Sequence, residues 1–195
     1  MVIELPNCGR VDHLGDRGSS KGQQDLEKFY LYQVSLNTPA MCCYESFVHP
    51  AIRRYEKNDG VAVLQLSQKY TSWDSTPTEA DIQGFYSSEP DFFLVAELDR
   101  RIVGFVYGRE SKSVPDEALR RWKATKVGSV EVLAVEEQYR RRGIATLLLN
   151  RLFAVFGERG IDMVTLSVPA DEVGAKELYD KLGFETRGYF MKKKL

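Results

Sequence analysis

The segment that most restricts this chain is an apolar run, Gly128–Val135 (GSVEVLAV). The polar turn EEQY follows, then Arg140-Arg141-Arg142-Gly143-Ile144-Ala145 at the head of a second apolar stretch. Branched and small apolar residues bounded by turn formers read as a buried strand. From about Arg141 to Gly157, residues Leu147, Leu148, Leu152, Val155 and Phe156 give one apolar face of a helix, and Gly160 supplies a stop. A strand that runs out into a helix N-terminus makes an anion site. First-turn amides there have no intrahelical acceptor, and the dipole is positive. Gly143 permits close backbone approach, Ala145 adds little bulk, and the arginines add forked donors. Three arginines oppose the dipole of the helix they open. The arrangement therefore calls for a bound anion or for acids such as Glu136 and Glu137. A pyrophosphate fits this cradle. Neither GxxxxGK[ST] nor GxGxxG occurs, which excludes the P-loop and the dinucleotide fingerprint.

The remaining elements order themselves around that unit. AIRRYEKND reads as a strand leading into a helix cap, and GVAVLQLSQKY as an amphipathic helix. Thr78-Glu-Ala-Asp81 is a capping box with Asp in the acidic place, opening a helix through about Tyr86. DFFLVAEL and RIVGFVYGRE form a hairpin about Asp99-Arg100. EALRRWKA suggests a short helix, DMVTLSV a strand and EVGAKELYDKLGF a helix ended by Gly183, while TRGYFMKKKL is expected to close the chain as a strand. The predicted order is β-α-α-β-β-β-α-β-α-β, an α/β sandwich. Residues 1–46 differ: Gly15–Asp25 is Gly-, Ser- and polar-rich, and the segment reads as an N-terminal extension to a domain spanning 47–195.

Composition narrows the function. A formal net charge of −1, from 27 basic and 28 acidic residues, argues against a general nucleic-acid binder. No run is long and apolar enough to span a bilayer, and the first residues lack the layout of a signal peptide, so a cytoplasmic location without membrane partners is expected. Cys8, Cys42 and Cys43 form no CxxC pair, and His13 and His49 sit at no ligand spacing from them, so no metal is expected.

Arg140-Arg141-Arg142-Gly143-Ile144-Ala145 after a strand resembles the R/Q-x-x-G-x-G/A signature of the GNAT superfamily of N-acetyltransferases. Ala175, Leu178, Tyr179, Gly183 and Phe184 resemble that family's C-terminal A-x-x-L-Y-x-x-x-G-F, and the upstream strand, two helices and hairpin follow its order. The resemblance implies a mixed, mostly antiparallel central sheet flanked by helices, with a splayed strand pair at the cofactor site. It implies acetyl-CoA as acetyl donor and a primary amine as acceptor, either a small molecule or a protein amino group. The family includes homodimers, so self-association is compatible with it.

Carried over residue by residue, the resemblance gives the backbone of Leu133, Ala134 and Val135 the pantetheine arm. The loop and helix start, Arg140, Arg141, Arg142, Gly143, Ile144, Ala145 and Thr146, take the pyrophosphate. Tyr179 takes the place of the tyrosine that protonates the departing thiolate; its spacing alone would equally suit a packing residue beside Leu178 and Leu182. Glu131 is the candidate base or water-organising residue, similar to a glutamate in polyamine-acetylating relatives. By strict alternation it would share a face with Leu133 and Val135, and an ion pair is its competing role. Glu172 stands where many relatives carry an asparagine that touches the cofactor arm. Candidate acceptor surfaces are the segment before the signature strand, 109–127, and the first two helices, 60–88; Trp73, Asp74, Glu79, Asp81, Tyr86, Glu89 and Asp91 make the second region aromatic and acidic, with a solvated helical face as its competing role. The competing functional class is a non-catalytic CoA-binding module.

Overall fold

The computed structural model describes residues 50–71, 75–189 and 191–194. The expectations for residues 1–46, the three cysteines, both histidines, Trp73 and Asp74 lie outside them.

Strands β2 (Phe93–Leu98) and β3 (Arg101–Glu110) form the predicted hairpin. Its turn residues Asp99 and Arg100 both have positive φ, 50° and 62°. Such a turn matches the right-handed twist of the strands it joins. β1 (Ala51–Arg54), β4 (Val127–Val135) and β5 (Met163–Leu166) complete one sheet in the order β1-β2-β3-β4-β5. The first three pairings are antiparallel and β4–β5 is parallel. This is the mixed, mostly antiparallel sheet expected from the resemblance.

Helices cover both faces. On one side α4 (Ile144–Glu158) sets Leu148, Leu149, Leu152 and Phe156 against Leu94, Val106 and Val130. Each of those α4 side chains is essentially inaccessible, and each stabilises the fold by about 1.5–3 kcal/mol. Contact is close here: a Cβ on Gly108 would lie 2.7 Å from the Phe156 ring. On the other side α1 (Gly60–Tyr70) and α2 (Glu79–Ser88) bury Val63, Leu66 and Ile82 against Phe93, Val95, Phe105 and Tyr107. The capping box at α2 is formed. Thr78 Oγ1 accepts from the Asp81 amide at 3.3 Å, and Asp81 Oδ2 accepts from the Thr78 amide at 2.8 Å. Short α3 (Asp116–Trp122) precedes β4, and α5 (Val173–Lys181) follows β5.

Two expectations need correction. The long helix begins at Ile144, not Arg141, because Arg141 and Gly143 both take left-handed backbone (φ 62° and 80°) and turn the chain before the helix can start. The closing strand is absent from the described residues: 185–189 and 191–194 pair with no strand. Tyr189 and Met191 there are 88% and 87% exposed. Without a neighbouring edge or a covered face, neither backbone pairing nor side-chain burial holds that segment extended.

Candidate active site

The site begins where β4 and β5 part. β4 pairs with β3 from Gly128 to Val135, but with β5 only through Val127–Val130. From Glu131 to Val135 the outer edge of β4 carries no strand partner among the described residues. β5 ends at Leu166, and Ser167-Val168-Pro169 leads away toward α5; Pro169 has no amide to donate. A cavity of about 540 Å³ fills the gap. Its walls are Val130–Val135, Ser167–Pro169, the head of α4 and the inner side of α5. A strand edge inside a cavity offers backbone donors and acceptors to any extended amide-bearing ligand.

At the cavity's far wall lies the uncapped start of α4. The first-turn amides of Ile144, Ala145 and Thr146 have no intrahelical acceptor, and no side chain among the described residues caps them. A Cβ built on Gly143 would meet nothing within 4 Å, so the loop opens onto free space. The three arginines divide their roles. Arg141 lines the cavity. Arg140 also lines it, but its Nε donates to the Val135 carbonyl at 3.0 Å and its guanidinium lies 4.5 Å from the centre of the Tyr70 ring. Tyr70 in turn accepts from the Glu137 amide at 3.0 Å through its hydroxyl. Arg142 is not among the lining residues; its guanidinium sits over Tyr139, 5.7 Å from the ring centre.

Tyr179 projects from α5 and is 9% exposed. Its hydroxyl makes no hydrogen bond among the described residues, yet no buried side-chain oxygen or nitrogen there is left unpaired. The phenol oxygen therefore opens onto the cavity that Tyr179 lines. Burial of the ring raises the phenol's pKa above its ordinary value, which keeps it protonated and able to donate.

Glu131 departs from the expected geometry. The β3–β4 register shifts between Tyr107↔Val132 and Gly108↔Val130, so Glu131 is the extra residue of a β-bulge. The bulge breaks the alternation. Leu133 and Val135 pack with α4, whereas Val132 packs with the α1–α2 side. Glu131 pairs on that latter side with Arg109, Nε to Oε1 at 2.9 Å. It borders a second cavity of about 520 Å³, lined also by Phe85, Ser88, Glu89, Tyr107, Arg109 and Lys112. The expectation that Glu131 shares a face with Leu133 and Val135 is thus overturned.

The family model of the acetyltransferase (GNAT) family matches residues 58–184. An acetyltransferase of Pectobacterium atrosepticum is 32% identical over 138 residues, covering 69% of this chain and 87% of the relative. One of Yersinia pestis is 32% identical over 143 residues, covering 72% and 91%. The chain belongs to the GNAT family. It is an acyltransferase of the N-acetyltransferase type. Ard1 from Thermoplasma volcanium is similar in structure, with a TM-score of 0.61 at 25% identity, over 72% of this chain and 86% of that one. The fold is also shared with the aminoglycoside N-acetyltransferase AAC(6')-Iy in complex with CoA, with a TM-score of 0.59 at 19% identity over 75% and 96%.

Within this GNAT domain one cavity brings together Glu131, Leu133, Ala134, Val135, Arg140, Arg141, Gly143, Ile144, Ala145, Thr146 and Tyr179, and leaves out Arg142. Glu172, the departure from the family pattern, lines it too. Tyr70 and Arg109, which border the two cavities, fall inside the candidate stretches 60–88 and 109–127 but are not singled out individually by the sequence. Arg109 had a signal, since it alternates with Phe105 and Tyr107 along β3. Tyr70 had none, because its partner Glu137 is 67 residues away.

Proposed function

We propose that this domain transfers the acetyl group of acetyl-CoA to a primary amine by direct attack on the thioester, Tyr179 serving as general acid. The observation that carries this reading is the meeting of two cavities at one carboxylate: Glu131 lines both the cavity beside the open β4 edge and the cavity under α2. A donor in the first and an acceptor in the second would meet at the bulge. The residues present fit the donor. The free edge of β4 suits the amides of a pantetheine arm, and the uncapped amides of α4 with Arg141 suit a pyrophosphate. Acetyl-CoA supplies an activated acyl carbon and a thiolate leaving group.

The chain's own residues supply the rest. The cationic acceptor must shed a proton before attack, and Glu131 or a water beside it takes that proton. Glu131, paired with Arg109 at 2.9 Å, also orients and attracts the ammonium. As the nitrogen–carbon bond forms and the carbon–sulfur bond breaks, the Tyr179 phenol protonates the sulfur. Arg140 braces the end of β4 by holding the Val135 carbonyl.

Calorimetric titration with acetyl-CoA, of wild type and of Gly143→Glu, tests the donor site. One-site binding lost in the variant is the expected result; a folded wild type that binds no acetyl-CoA overturns the reading. Thiol release over an amine panel then tests transfer. Saturable CoA binding with no turnover on small amines or peptides would convert the domain to a non-catalytic CoA-binding module.

A further inference from the structure

Resting on that reading, we infer that the acceptor is a small zwitterion, a molecule of the amino-acid class that carries a carboxylate as well as the amine to be acetylated. The second cavity is already furnished with both signs of charge. Glu89, Glu110 and Glu131 line it together with Arg109 and Lys112. Two of the acids are engaged internally: Glu131 with Arg109 at 2.9 Å, and Glu89 with Lys112 at 4.0 Å. In each pair the acid is the more covered partner. Glu131 and Glu89 side chains are 29% and 26% exposed, against 59% and 78% for Arg109 and Lys112.

This arrangement discriminates among amines. Arg109 holds the carboxylate that an incoming ammonium would need. A simple amine or polyamine exchanges one cation for another at Glu131 and leaves Arg109 without an acid. An acceptor with its own carboxylate exchanges both members at once, ammonium to Glu131 and carboxylate to Arg109, while Lys112 stays with Glu89. No charge is stranded, and a forked guanidinium–carboxylate contact replaces the internal one. Phe85 and Tyr107 stack with ring centres 4.3 Å apart, and Ser88 Oγ and the Tyr107 hydroxyl lie 2.9 Å from each other. In the transfer the acceptor's ammonium gives its proton to Glu131 or water, its nitrogen takes the acyl carbon, and the sulfur takes the Tyr179 proton. The acceptor's carboxylate stays ionised throughout and serves only recognition.

The experiment compares matched pairs that differ by the carboxylate: L-ornithine with putrescine, L-lysine with cadaverine, and 2,4-diaminobutyrate with 1,3-diaminopropane. Thiol release from acetyl-CoA is measured with wild type, Arg109→Gln and Lys112→Gln. Binding of each compound to the CoA-saturated protein is measured by calorimetry. In wild type the carboxylate-bearing member is favoured by about tenfold or more in kcat/KM or affinity, the scale of one charge-assisted hydrogen bond. In Arg109→Gln that ratio collapses toward one, while the affinity for CoA is retained. A wild-type preference for the diamines, or for peptides with a neutral second residue, overturns the inference. So does an unchanged ratio in Arg109→Gln. Absence of binding and turnover with every zwitterion, with CoA bound normally, also overturns it. Failure of CoA itself to bind strikes the underlying reading instead.

Discussion

The backbone amide of Phe184 donates to the carbonyl of Tyr179 at 3.0 Å, and their rings meet edge to face with centres 5.7 Å apart. The Gly183 amide donates to Asp180 at 3.1 Å, completing the two-bond Schellman ending of α5 with its hydrophobic contact. The device that stops the helix thereby also fixes the ring of the proposed acid. Replacing Tyr179 by Phe keeps the ring and its packing and removes only the hydroxyl that carries the proton. Turnover is expected to fall on the order of 100-fold, with acetyl-CoA affinity within about twofold of wild type. A steady-state rate equal to wild type would remove Tyr179 from the chemistry.

The same tyrosine sets a pH expectation. Burial raises its pKa, so the protonated, competent form persists past the ordinary tyrosine value of about 10. Activity dependent on this acid is lost as pH rises through the raised pKa, not below it. A rate profile taken with stability controls should show its alkaline limb above about pH 10 in wild type and lose that limb in Tyr179→Phe.

Gly183 has φ 86°, a left-handed conformation that a Cβ opposes. Gly183→Ala should cost about 1–2 kcal/mol in urea unfolding. It should also lower kcat more than it weakens acetyl-CoA binding, because Tyr179 rather than the anion loop rests on this turn. Loss of stability with kcat untouched would separate the helix ending from the placement of the acid.

The sequence carried the elements and not their irregularities. The α1 span, the Asp99-Arg100 hairpin and the α5 ending were legible because each rests on local chemistry: apolar period, turn geometry and a glycine stop. The turn ahead of α4 was legible in kind, since arginines followed by Gly143 mark a loop at a helix start. What escaped depends on long-range register. Alternation cannot reveal that Glu131 is a bulged residue, because the bulge is defined by where Tyr107 and Gly108 fall on the facing strand. The closing strand looked plausible from composition, yet strand formation needs a partner edge and a covered face, and neither is written in TRGYFMKKKL. The spread of the arginine roles likewise follows from Tyr70 and Tyr139, which only the fold brings close.

Arg140 gives a testable consequence of that spread. If it braces β4 through Val135 and Tyr70, Arg140→Ala should cost about 1–2 kcal/mol of stability even without ligand. Arg140→Lys should recover little, because an ammonium lacks the planar group that covers the Tyr70 ring. A double-mutant cycle of Arg140→Ala with Tyr70→Leu should give a coupling of about 0.5–1 kcal/mol. Strict additivity would dissociate the two residues and leave the Val135 carbonyl as the contact through which Arg140 braces β4.

The start of α1 is held to β1 by a different ionic contact, and it predicts the acid limb of stability. Arg53 donates to both oxygens of Asp59 at 2.7 and 2.9 Å and to Glu97 at 2.7 Å, while Asp59 also accepts from the Glu56 amide at 2.8 Å. Burial pushes the Asp59 carboxyl upward, but the Arg53 hydrogen bonds, the Glu56 amide and the Arg53 charge together outweigh it, and its pKa is lowered. Above the ordinary carboxylate value of about 3.9, folded and unfolded chains are both ionised at this position and its contribution is fully present. As pH falls below that value the unfolded chain takes up the proton first, and the contribution drains away until pH passes through the lowered folded pKa. Asp162 and Asp81 are lowered as well, held by backbone and threonine hydrogen bonds, so several groups share the limb. Asp59→Asn should therefore cost about 1.5–3 kcal/mol at neutral pH and make the decline of the urea midpoint below about pH 4 shallower without abolishing it. Parallel wild-type and variant midpoints across that range would show that the Asp59–Arg53 contact contributes nothing that titrates.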